Sequence, residues 1–473
     1  MKYQKIINSL FYIFSLPLVN PGCKRFVTID PPKTSLVSNV VFENESTAIA
    51  AVTGIYSNMI GSSNKLSSGN QSISFFTGLY ADELTDLSGD PQRIQFYQNA
   101  LRPENNYLSA IWLELYFYVY SSNNIIGKLD NSDRIRPAVR QQLMGESKFI
   151  RAFCNFYLVN LFENAPLITT TDYKLNTSAT GSSRVKLYDQ IVSDLTDAEG
   201  LLSENYVAAD AVSISAEKIR PNKSVARALL ARVYLYIGDW QNAEKESTSV
   251  IKNSSLYALV PDLNSVFLKN SKEAIWQLQP QVPGYNTFDG YYFIILNNAI
   301  GSVFPVALSD TLHHSFESGD NRYNKWISSF QAGSQTYFYP FKYKKSPLSD
   351  QTLTEYLMVL RLGEQYLIRA EARVQQNNIS ESQEDLNIIR NRAGLPSTTS
   401  ADKTSLLASI WHERQVELFT EWGQRWFDLK RTNRVNAVMG ALKPNTWQPL
   451  DTIFPIPQSQ ILNDPNISQN AGY

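Results

Sequence analysis

SVARALLARVYLYIGDWQNAEKESTSVI, residues 224–251, has the pattern of two short helices joined by a tight turn. Within it, Ala231, Tyr234, Gly238 and Ala243 recur at the spacing of a tetratricopeptide repeat. The small side chains of the two alanines let the helices approach closely, and glycine permits the turn between them. The stretch therefore predicts a helical hairpin, which cannot bury both of its faces without neighbours.

A second and more degenerate hairpin is predicted by EQYLIRAEARVQQNNISESQEDLNIIRNRAG, residues 364–394. Tyr366, Ala370 and Ala372 belong to its first helix, whereas Ser382 stands in its second helix where such a repeat usually has alanine. Two such units indicate a stack of helix pairs.

Three helical patterns precede the first hairpin. One runs through residues 51–59, with Ser46 or Thr47 as its expected cap. The others span about 108–126 and about 140–162, and all three are apolar enough to bury one another. The predicted fold class is mainly α: a tetratricopeptide-like helix-pair superhelix with a loop-rich lobe that contains short strands.

The stretch RQVELFTEWGQRWFDLKR, residues 414–431, is interpreted as one amphipathic helix packed behind the second hairpin. Its carboxylates Glu417 and Glu421 are four residues apart, a spacing that superficially suits the acid pair of a glycosidase. Interleaved arginines, however, lower the pKa of a carboxyl, and a general acid needs a raised pKa. We therefore interpret these charges as structural ion pairs.

Two segments, about 65–107 and 260–350, lack this helical regularity. KEAIWQLQP, residues 272–280, predicts a short strand. TYFYPFKYKK, residues 336–345, alternates in polarity, and Pro340 confines it to a sheet edge. We expect these segments to form the lobe, over a helical scaffold at about 40–260 and 350–440.

The amino terminus, MKYQKIINSLFYIFSLPLVNPGC, has early lysines, an apolar run and small residues before Cys23. This layout predicts a signal peptide at 1–22 and one domain at 23–473. Lipid modification of Cys23 would tether that domain to a membrane. Asn20, Pro21 and Gly22 depart from the usual leucine-containing motif, so an uncleaved leader, or a cysteine that merely follows it, is the alternative.

Composition excludes several classes of function. The chain has 43 Lys plus Arg against 44 Asp plus Glu, which provides no basic field for nucleic acid. Its only histidines are His313, His314 and His412, and no His/Cys cluster has the spacing of metal ligands. Cys154, within a helical run, is expected to be a small buried side chain. We predict no metal, no cofactor and no nucleic-acid partner.

Four stretches together resemble one known family. They are CKRFVTIDPP (23–32), YLIRAEARVQQNN with LNIIRNRAGL (366–395), the 414–431 stretch, and IFPIPQSQILNDPNISQNAGY (453–473). In combination they are similar to the SusD/RagB outer-membrane lipoproteins of Bacteroidota. The resemblance implies an exterior-facing, lipid-anchored protein that binds oligosaccharides or other large nutrients. It also implies that the nutrient is passed to a SusC-like, TonB-dependent outer-membrane transporter.

Sugar recognition combines flat aromatic faces with amide and carboxylate groups that reach hydroxyls. The two loop-rich segments carry this mixture, so we expect ligand-binding residues there. The candidates are Asp82, Glu83, Tyr97 and Asn99 in the first segment, Tyr285, Asn286, Phe288, Asp289 and Tyr291 in the second, and Tyr337 with Tyr339 on the edge strand. Trp276 and Trp326, flanked by apolar residues, are expected in the core.

We expect glycan capture without catalysis. One alternative is a protein-interaction scaffold, because tetratricopeptide arrays present concave surfaces to peptides. Another is a glycoside hydrolase, which would need two carboxylates in an open cleft, with Asp82, Glu83 or Asp289 as recruits.

Overall fold

Helices dominate the computed structural model, which describes residues 41–130 and 132–473. In chain order the α-helices are α1 (Glu45–Ile60), α2 (Ile73–Tyr80), α3 (Pro91–Tyr97), α4 (Asn106–Asp130), α5 (Pro137–Phe162), α6 (Tyr173–Asn176), α7 (Arg184–Leu201), α8 (Lys223–Ile237), α9 (Trp240–Ile251), α10 (Phe288–Phe293), α11 (Asp310–His313), α12 (Asn321–Trp326), α13 (Leu362–Gln375), α14 (Ile379–Arg392), α15 (Lys403–Leu418), α16 (Gln424–Arg431), α17 (Val435–Leu442) and α18 (Gln458–Asn463). The strands are β1 (Leu84–Asp86), β2 (Ala274–Leu278), β3 (Val306–Leu308), β4 (Ile327–Ala332), β5 (Gln335–Pro340) and β6 (Leu357–Arg361). The mainly α prediction is confirmed, whereas the predicted signal peptide and Cys23 lie outside the described residues.

Both predicted hairpins are present. In the first, α8 ends at Gly238, whose φ of 80° is left-handed, and the Asp239 side chain then caps α9 by accepting from the Asn242 N–H. In the second, α13 and α14 are joined through Asn377, at φ 67°. Ser382 replaces alanine without loss, because its buried hydroxyl donates to the Ala370 carbonyl at 2.7 Å.

The two hairpins stack, with α9 lying against α13, and α15 covers α13 and α14. One apolar cluster joins these helices, and its buried members include Leu367 of α13, Leu386 of α14 and Leu406 of α15. Arg373 of α13 adds an ion pair to Glu244 of α9 at 2.9 Å. This interlocking buries the faces that an isolated hairpin would leave exposed.

The three earlier helices also form as predicted, as α1, α4 and α5. Every residue of α5 from Phe149 to Phe162 is buried, as expected of a helix apolar on all sides, and Cys154 is among them. The predicted cap of α1 is wrong. Asn44 caps the helix instead, because its side-chain oxygen accepts from the Thr47 N–H at 3.0 Å.

Residues 414–431 do not form one helix, so this prediction is wrong. The chain breaks between α15 and α16, and φ is positive at Thr420 (53°), Trp422 (50°) and Gly423 (76°). Contacts from elsewhere replace the helical hydrogen bonds. The Trp422 N–H donates to the Ser74 hydroxyl at 2.8 Å, and its indole N–H donates to the Met358 carbonyl at 2.8 Å.

The interpretation of these charges as structural ion pairs is confirmed, with different partners. Fully buried Glu417 accepts from Arg361 at 2.6 Å and from Arg322 at 2.8 Å, and it also bonds Arg392. Burial alone would raise the pKa of this carboxyl, but the three guanidinium groups hold it well below its usual value. Glu417 is therefore an anion within the core.

The strands form three antiparallel pairs in the described residues: β1 with β3, β2 with β6, and β4 with β5. The predictions of strand β2 and of the two-stranded edge containing Pro340 are confirmed, since Pro340 lies opposite Ile327 at the end of the β4–β5 ladder. Trp276 and Trp326 are fully buried, also as predicted. These short pairs connect the loops that carry the candidate site.

Candidate functional site

Asp289 joins two loops by hydrogen bonds. It lies in the first turn of α10, and its Oδ1 accepts from the Ser68 hydroxyl at 3.0 Å and from the Gly69 N–H at 2.9 Å. Burial raises the pKa of this carboxyl to about 6. Gly69 permits the close approach, since it has a φ of 95° and a Cβ there would lie 3.0 Å from Phe288.

Asn286 fastens a third loop. Its side-chain oxygen accepts from the N–H groups of Thr354 at 2.8 Å and Glu355 at 2.9 Å. Its amide nitrogen donates to the Thr352 carbonyl at 2.9 Å. One buried side chain therefore satisfies three backbone groups, and segments 63–70, 284–293 and 345–355 are held together by internal hydrogen bonds.

The three joined segments, 63–70, 284–293 and 345–355, are here called the platform. The platform carries three half-buried tyrosines, Tyr285, Tyr291 and Tyr292, here called the tyrosine cluster. The ring centroids of Tyr285 and Tyr291 are 5.6 Å apart at 67°, and those of Tyr291 and Tyr292 are 4.7 Å apart at 74°. Buried Phe288 supports the cluster, with its ring 5.1 Å from that of Tyr285. Within the described ranges, no hydrogen bond occupies the three tyrosine hydroxyls.

An amide borders the cluster. Gly284 precedes Tyr285 at φ 81°, and a Cβ at this position would lie 3.2 Å from the side-chain oxygen of Gln351. The glycine therefore lets this exposed glutamine lie against the backbone of the residue before Tyr285. The tyrosine rings can stack on the apolar face of a hydroxyl-rich ligand. The free tyrosine hydroxyls and the amide can hydrogen-bond the hydroxyls at the edges of that ligand.

The edge-strand tyrosines differ from one another. Tyr339 is buried against Ile294, Ile295 and Phe304, so its ring belongs to the core of the lobe. Tyr337 is half-buried against the same group. Only Tyr337 keeps part of its ring exposed for a ligand.

The predicted residues of the first segment lie in other surroundings. Asn99 is fully buried and donates to the Tyr80 carbonyl at 2.8 Å. Glu83 is also buried, and its Oε2 accepts from the Thr420 N–H at 3.2 Å. Burial raises the pKa of the Glu83 carboxyl to about 7, although this hydrogen bond opposes the shift.

Asp82 and Tyr97 remain partly exposed. The ammonium group of Lys443 lies 5.0 Å from the centre of the Tyr97 ring. Burial raises the pKa of the Asp82 carboxyl, and the charge of Lys443 opposes the shift. Over the part of the chain that the structure describes, no ring contact or hydrogen bond joins Asp82, Glu83, Tyr97 or Asn99 to the tyrosine cluster.

Two family models match this chain. One, described as the SusD family, matches residues 311–473. The other, described as "Starch-binding associating with outer membrane", matches residues 43–235. The chain belongs to the SusD/RagB family.

Relatives of this SusD-like chain extend along its whole length. A SusD-like protein of Formosa agariphila is 24% identical, with 100% of both chains covered. A SusD superfamily structure from Parabacteroides distasonis has a TM-score of 0.78 at 23% identity, covering 93% of this chain and 100% of that one. A "Laminarin binding SusD-like protein" has a TM-score of 0.75 at 24% identity, with 91% and 100% covered. Surface glycan-binding protein A from Bacteroides uniformis has a TM-score of 0.76 at 17% identity, with 90% and 99% covered.

Sequence reasoning missed part of the platform on this SusD-like fold. Tyr292 directly follows predicted Tyr291, so its aromatic character was a usable signal. Ser68, Gly69 and Gln351 carry no local signal, because only folding brings them beside residues 284–291. Among residues 41–130 and 132–473, none of the helices combines the length and the apolar composition of a membrane span.

Proposed function

We propose that this SusD-like protein captures oligosaccharides on the tyrosine cluster, at the outer membrane, without cleaving them. It then passes the glycan to a SusC-like, TonB-dependent transporter. One observation carries the proposal. Three tyrosines lie on a platform held by internal hydrogen bonds, and in the described chain their ring surface and hydroxyls are not used by contacts that would exclude a ligand. Support comes from relatives of the same fold whose names state laminarin binding and surface glycan binding.

The predicted site residues take different roles in this proposal. Tyr285, Tyr291 and Tyr337 contact the ligand, joined by Tyr292 and Gln351. Asn286, Phe288 and Asp289 are buried, and they position the loops rather than contact sugar. The first segment packs on residues 419–443 through contacts of Glu83 with Thr420 and of Tyr97 with Lys443. Asp82 also lies near the charge of Lys443, and Asn99 bonds within the first segment, to Tyr80.

Placement at the membrane is also part of the proposal. Lipid-modified Cys23 would hold the folded domain at the outer membrane, facing the exterior, and a tether of this kind leaves the domain in water. Support comes from the outer-membrane description of the family model that matches residues 43–235.

A peptide-binding scaffold is the second candidate, and the helix packing disfavours it. Eleven of the fourteen residues of α13 are buried, as are eleven of the fifteen residues of α8. Neighbouring elements thus cover the first helix of each hairpin, where a tetratricopeptide array would present its concave face.

A glycoside hydrolase would need two carboxyl groups flanking a sugar, about 5–10 Å apart in an open cleft. Glu83 and Asp289 have the raised pKa that a general acid requires. Both are only 3% and 2% exposed, and each accepts a backbone N–H. Their raised pKa values follow from enclosure, so we assign neither a catalytic role.

The test is a glycan array followed by titration calorimetry on the full chain. We expect saturable binding with no product formed. The double variant Tyr285→Ala/Tyr291→Ala should bind at the tyrosine cluster at least about tenfold more weakly, roughly 1.4 kcal/mol. Circular dichroism should show that the variant remains folded.

Phe117→Ala is the matched control, because this aromatic side chain is 51% exposed on α4 and outside the platform. Release of shorter sugars by the pure protein, or wild-type affinity together with wild-type stoichiometry in the double tyrosine variant, would refute the proposal.

A further inference from the structure

We infer a second oligosaccharide subsite in a cavity of about 490 Å³ between α4, segment 171–177 and segment 463–466. This inference rests on the proposed glycan-binding function and adds a site to it. The volume lies within the range of about 300–1,000 Å³ of small-molecule sites. Its lining includes Tyr120 of α4, Thr171 and Tyr173 of one segment, and Asn463, Asp464 and Asn466 of the other.

Internal hydrogen bonds fix the two walls of this cavity. The Asn466 amide donates to the Thr177 carbonyl at 2.9 Å, which joins segments 289 residues apart in the chain. Asn176 donates to the Thr170 carbonyl at 2.9 Å, and Asp464 Oδ1 accepts from the Asn466 N–H at 3.0 Å. The walls are therefore held by groups other than those left to meet a ligand.

Those remaining groups suit a sugar. Tyr120 is 53% exposed and Tyr173 is 70% exposed, which leaves ring surface for the apolar face of a pyranose. In the described chain, neither tyrosine hydroxyl has a hydrogen-bond partner, and the same holds for the Thr171 hydroxyl and the Asn463 amide. Asp464 Oδ2 adds a free acceptor. Two rings with an amide, a hydroxyl and a carboxylate match the needs of a polyhydroxylated ligand.

The adjoining surface of α4 differs from the cavity. Leu113 and Phe117 precede Tyr120 by seven and three residues, so they share its helix face, and they are 53% and 51% exposed. This apolar ridge offers no hydrogen-bonding side chain and suits a protein surface better than a sugar. It supplies a control on the same helix face.

The cavity is separate from the tyrosine cluster. None of its lining residues belongs to segments 63–70, 284–293 or 345–355, and among the described residues no hydrogen bond links the two sites. Two subsites on one molecule would engage a long glycan together, which raises the apparent affinity for polymer above that for a short oligosaccharide.

The test uses the full chain with β-1,3-gluco-, α-1,4-gluco-, β-1,4-xylo- and β-1,4-manno-hexaose and the corresponding polysaccharides. Calorimetry reports stoichiometry, and native affinity electrophoresis reports polymer binding. For a bound hexaose, we expect the stoichiometry to fall from two to one in Tyr120→Ala/Tyr173→Ala and also in Tyr285→Ala/Tyr291→Ala. Polymer affinity should fall about tenfold in each double variant.

Each other outcome has a defined meaning. If Tyr120→Ala/Tyr173→Ala keeps wild-type stoichiometry and polymer affinity while Tyr285→Ala/Tyr291→Ala loses binding, the second subsite is overturned and the proposed function stands. If Leu113→Ser/Phe117→Ser weakens binding as much as the Tyr120/Tyr173 change, the ridge is the contact surface and the cavity is overturned. If wild-type protein binds no probe, both proposals fail. Circular dichroism confirms folding, which these exposed positions should not affect.

Discussion

The ion pairs of Glu417 with Arg322, Arg361 and Arg392 are here called the frame. The frame and the tyrosine cluster place polar groups in opposite ways. Glu417 is fully buried, and three guanidinium groups occupy its two oxygens. Tyr285, Tyr291 and Tyr292 are half-buried, and their hydroxyls have no hydrogen-bond partner in the described chain. Saturated buried charges hold a fold together, whereas unsaturated polar groups beside exposed rings remain available to a ligand.

The largest effect should come from breaking the frame. Glu417→Ala leaves Arg361, Arg322 and Arg392 buried beside a lost anion, so we expect the free energy of unfolding to fall by about 3–5 kcal/mol. Denaturant titration measures the loss. The control, Glu204→Gln, removes an ion pair with Lys223 whose carboxylate is 61% exposed. It should cost less than about 1 kcal/mol, and equal losses in both variants would contradict the distinction.

Glu83, which accepts a hydrogen bond from the Thr420 N–H, should make stability depend on pH. Burial raises the pKa of its carboxyl from 4.5 to about 7, so the folded state binds more protons than the unfolded state between these values. The contribution is present below about pH 4.5 and is lost as the pH rises through 7, roughly 3 kcal/mol in all.

Glu83→Gln cannot titrate and should remove its own share of the slope, while the buried carboxyls of Asp289 and Glu355, whose pKa values are also raised, keep theirs. Denaturant unfolding at pH 5 and pH 7.5 measures it, with exposed Glu104→Gln as the control. A slope as steep in Glu83→Gln as in the wild type would show that Glu83 does not contribute to it.

The turn between α15 and α16 offers a smaller test. Gly423 has a φ of 76°, and a Cβ there would lie 2.9 Å from Phe427 and 3.0 Å from Thr77. Gly423→Ala should therefore destabilise the fold by about 1–3 kcal/mol. Gly127, within α4, faces open space. Gly127→Ala should stabilise by about 0.4–1 kcal/mol, and opposite shifts in melting temperature would show that backbone conformation decides the effect.

The smallest predicted effect concerns the tyrosine cluster. Tyr285→Phe keeps the ring and removes a hydroxyl that lacks a partner in the described chain, so the free energy of unfolding should not change. If that hydroxyl meets sugar, binding weakens by about 0.5–1.5 kcal/mol. Calorimetry with a glycan identified on the array measures the difference. Lower stability in Tyr285→Phe would mean that the hydroxyl serves the fold.

Local sequence patterns predicted the helical scaffold well. The hairpin at 224–251 follows from alanine spacing and one turn glycine, both of which are short-range signals. The break at 419–423 did not follow, because the charges and rings on either side keep helical spacing. Only Gly423 hinted at it. The deciding contacts, of Thr420 with Glu83 and of Trp422 with Ser74 and Met358, join residues more than 60 positions apart.

Composition located the candidate site less well. Aromatic and amide content identified the segment around residue 290, and Tyr285 and Tyr291 are half-exposed there. The same content could not separate them from Asn286 and Asp289. Those side chains are buried because their partners lie in loops 66 and 220 residues away. Residue type indicates what a group can bind, but only the fold decides whether it is already bound.

Asn286 holds the loop backbone, whereas its neighbour Tyr285 is proposed to contact the ligand. This difference in role affects how the lobe can evolve. The Asn286 amide makes three hydrogen bonds to the backbone of 352–355, whereas Tyr285 contributes ring packing on Phe288 and no hydroxyl bond in the described chain. Natural variation can therefore exchange that ring for another shape while the loop keeps its path. Under the proposed function, the preferred glycan can then change through single replacements at this position.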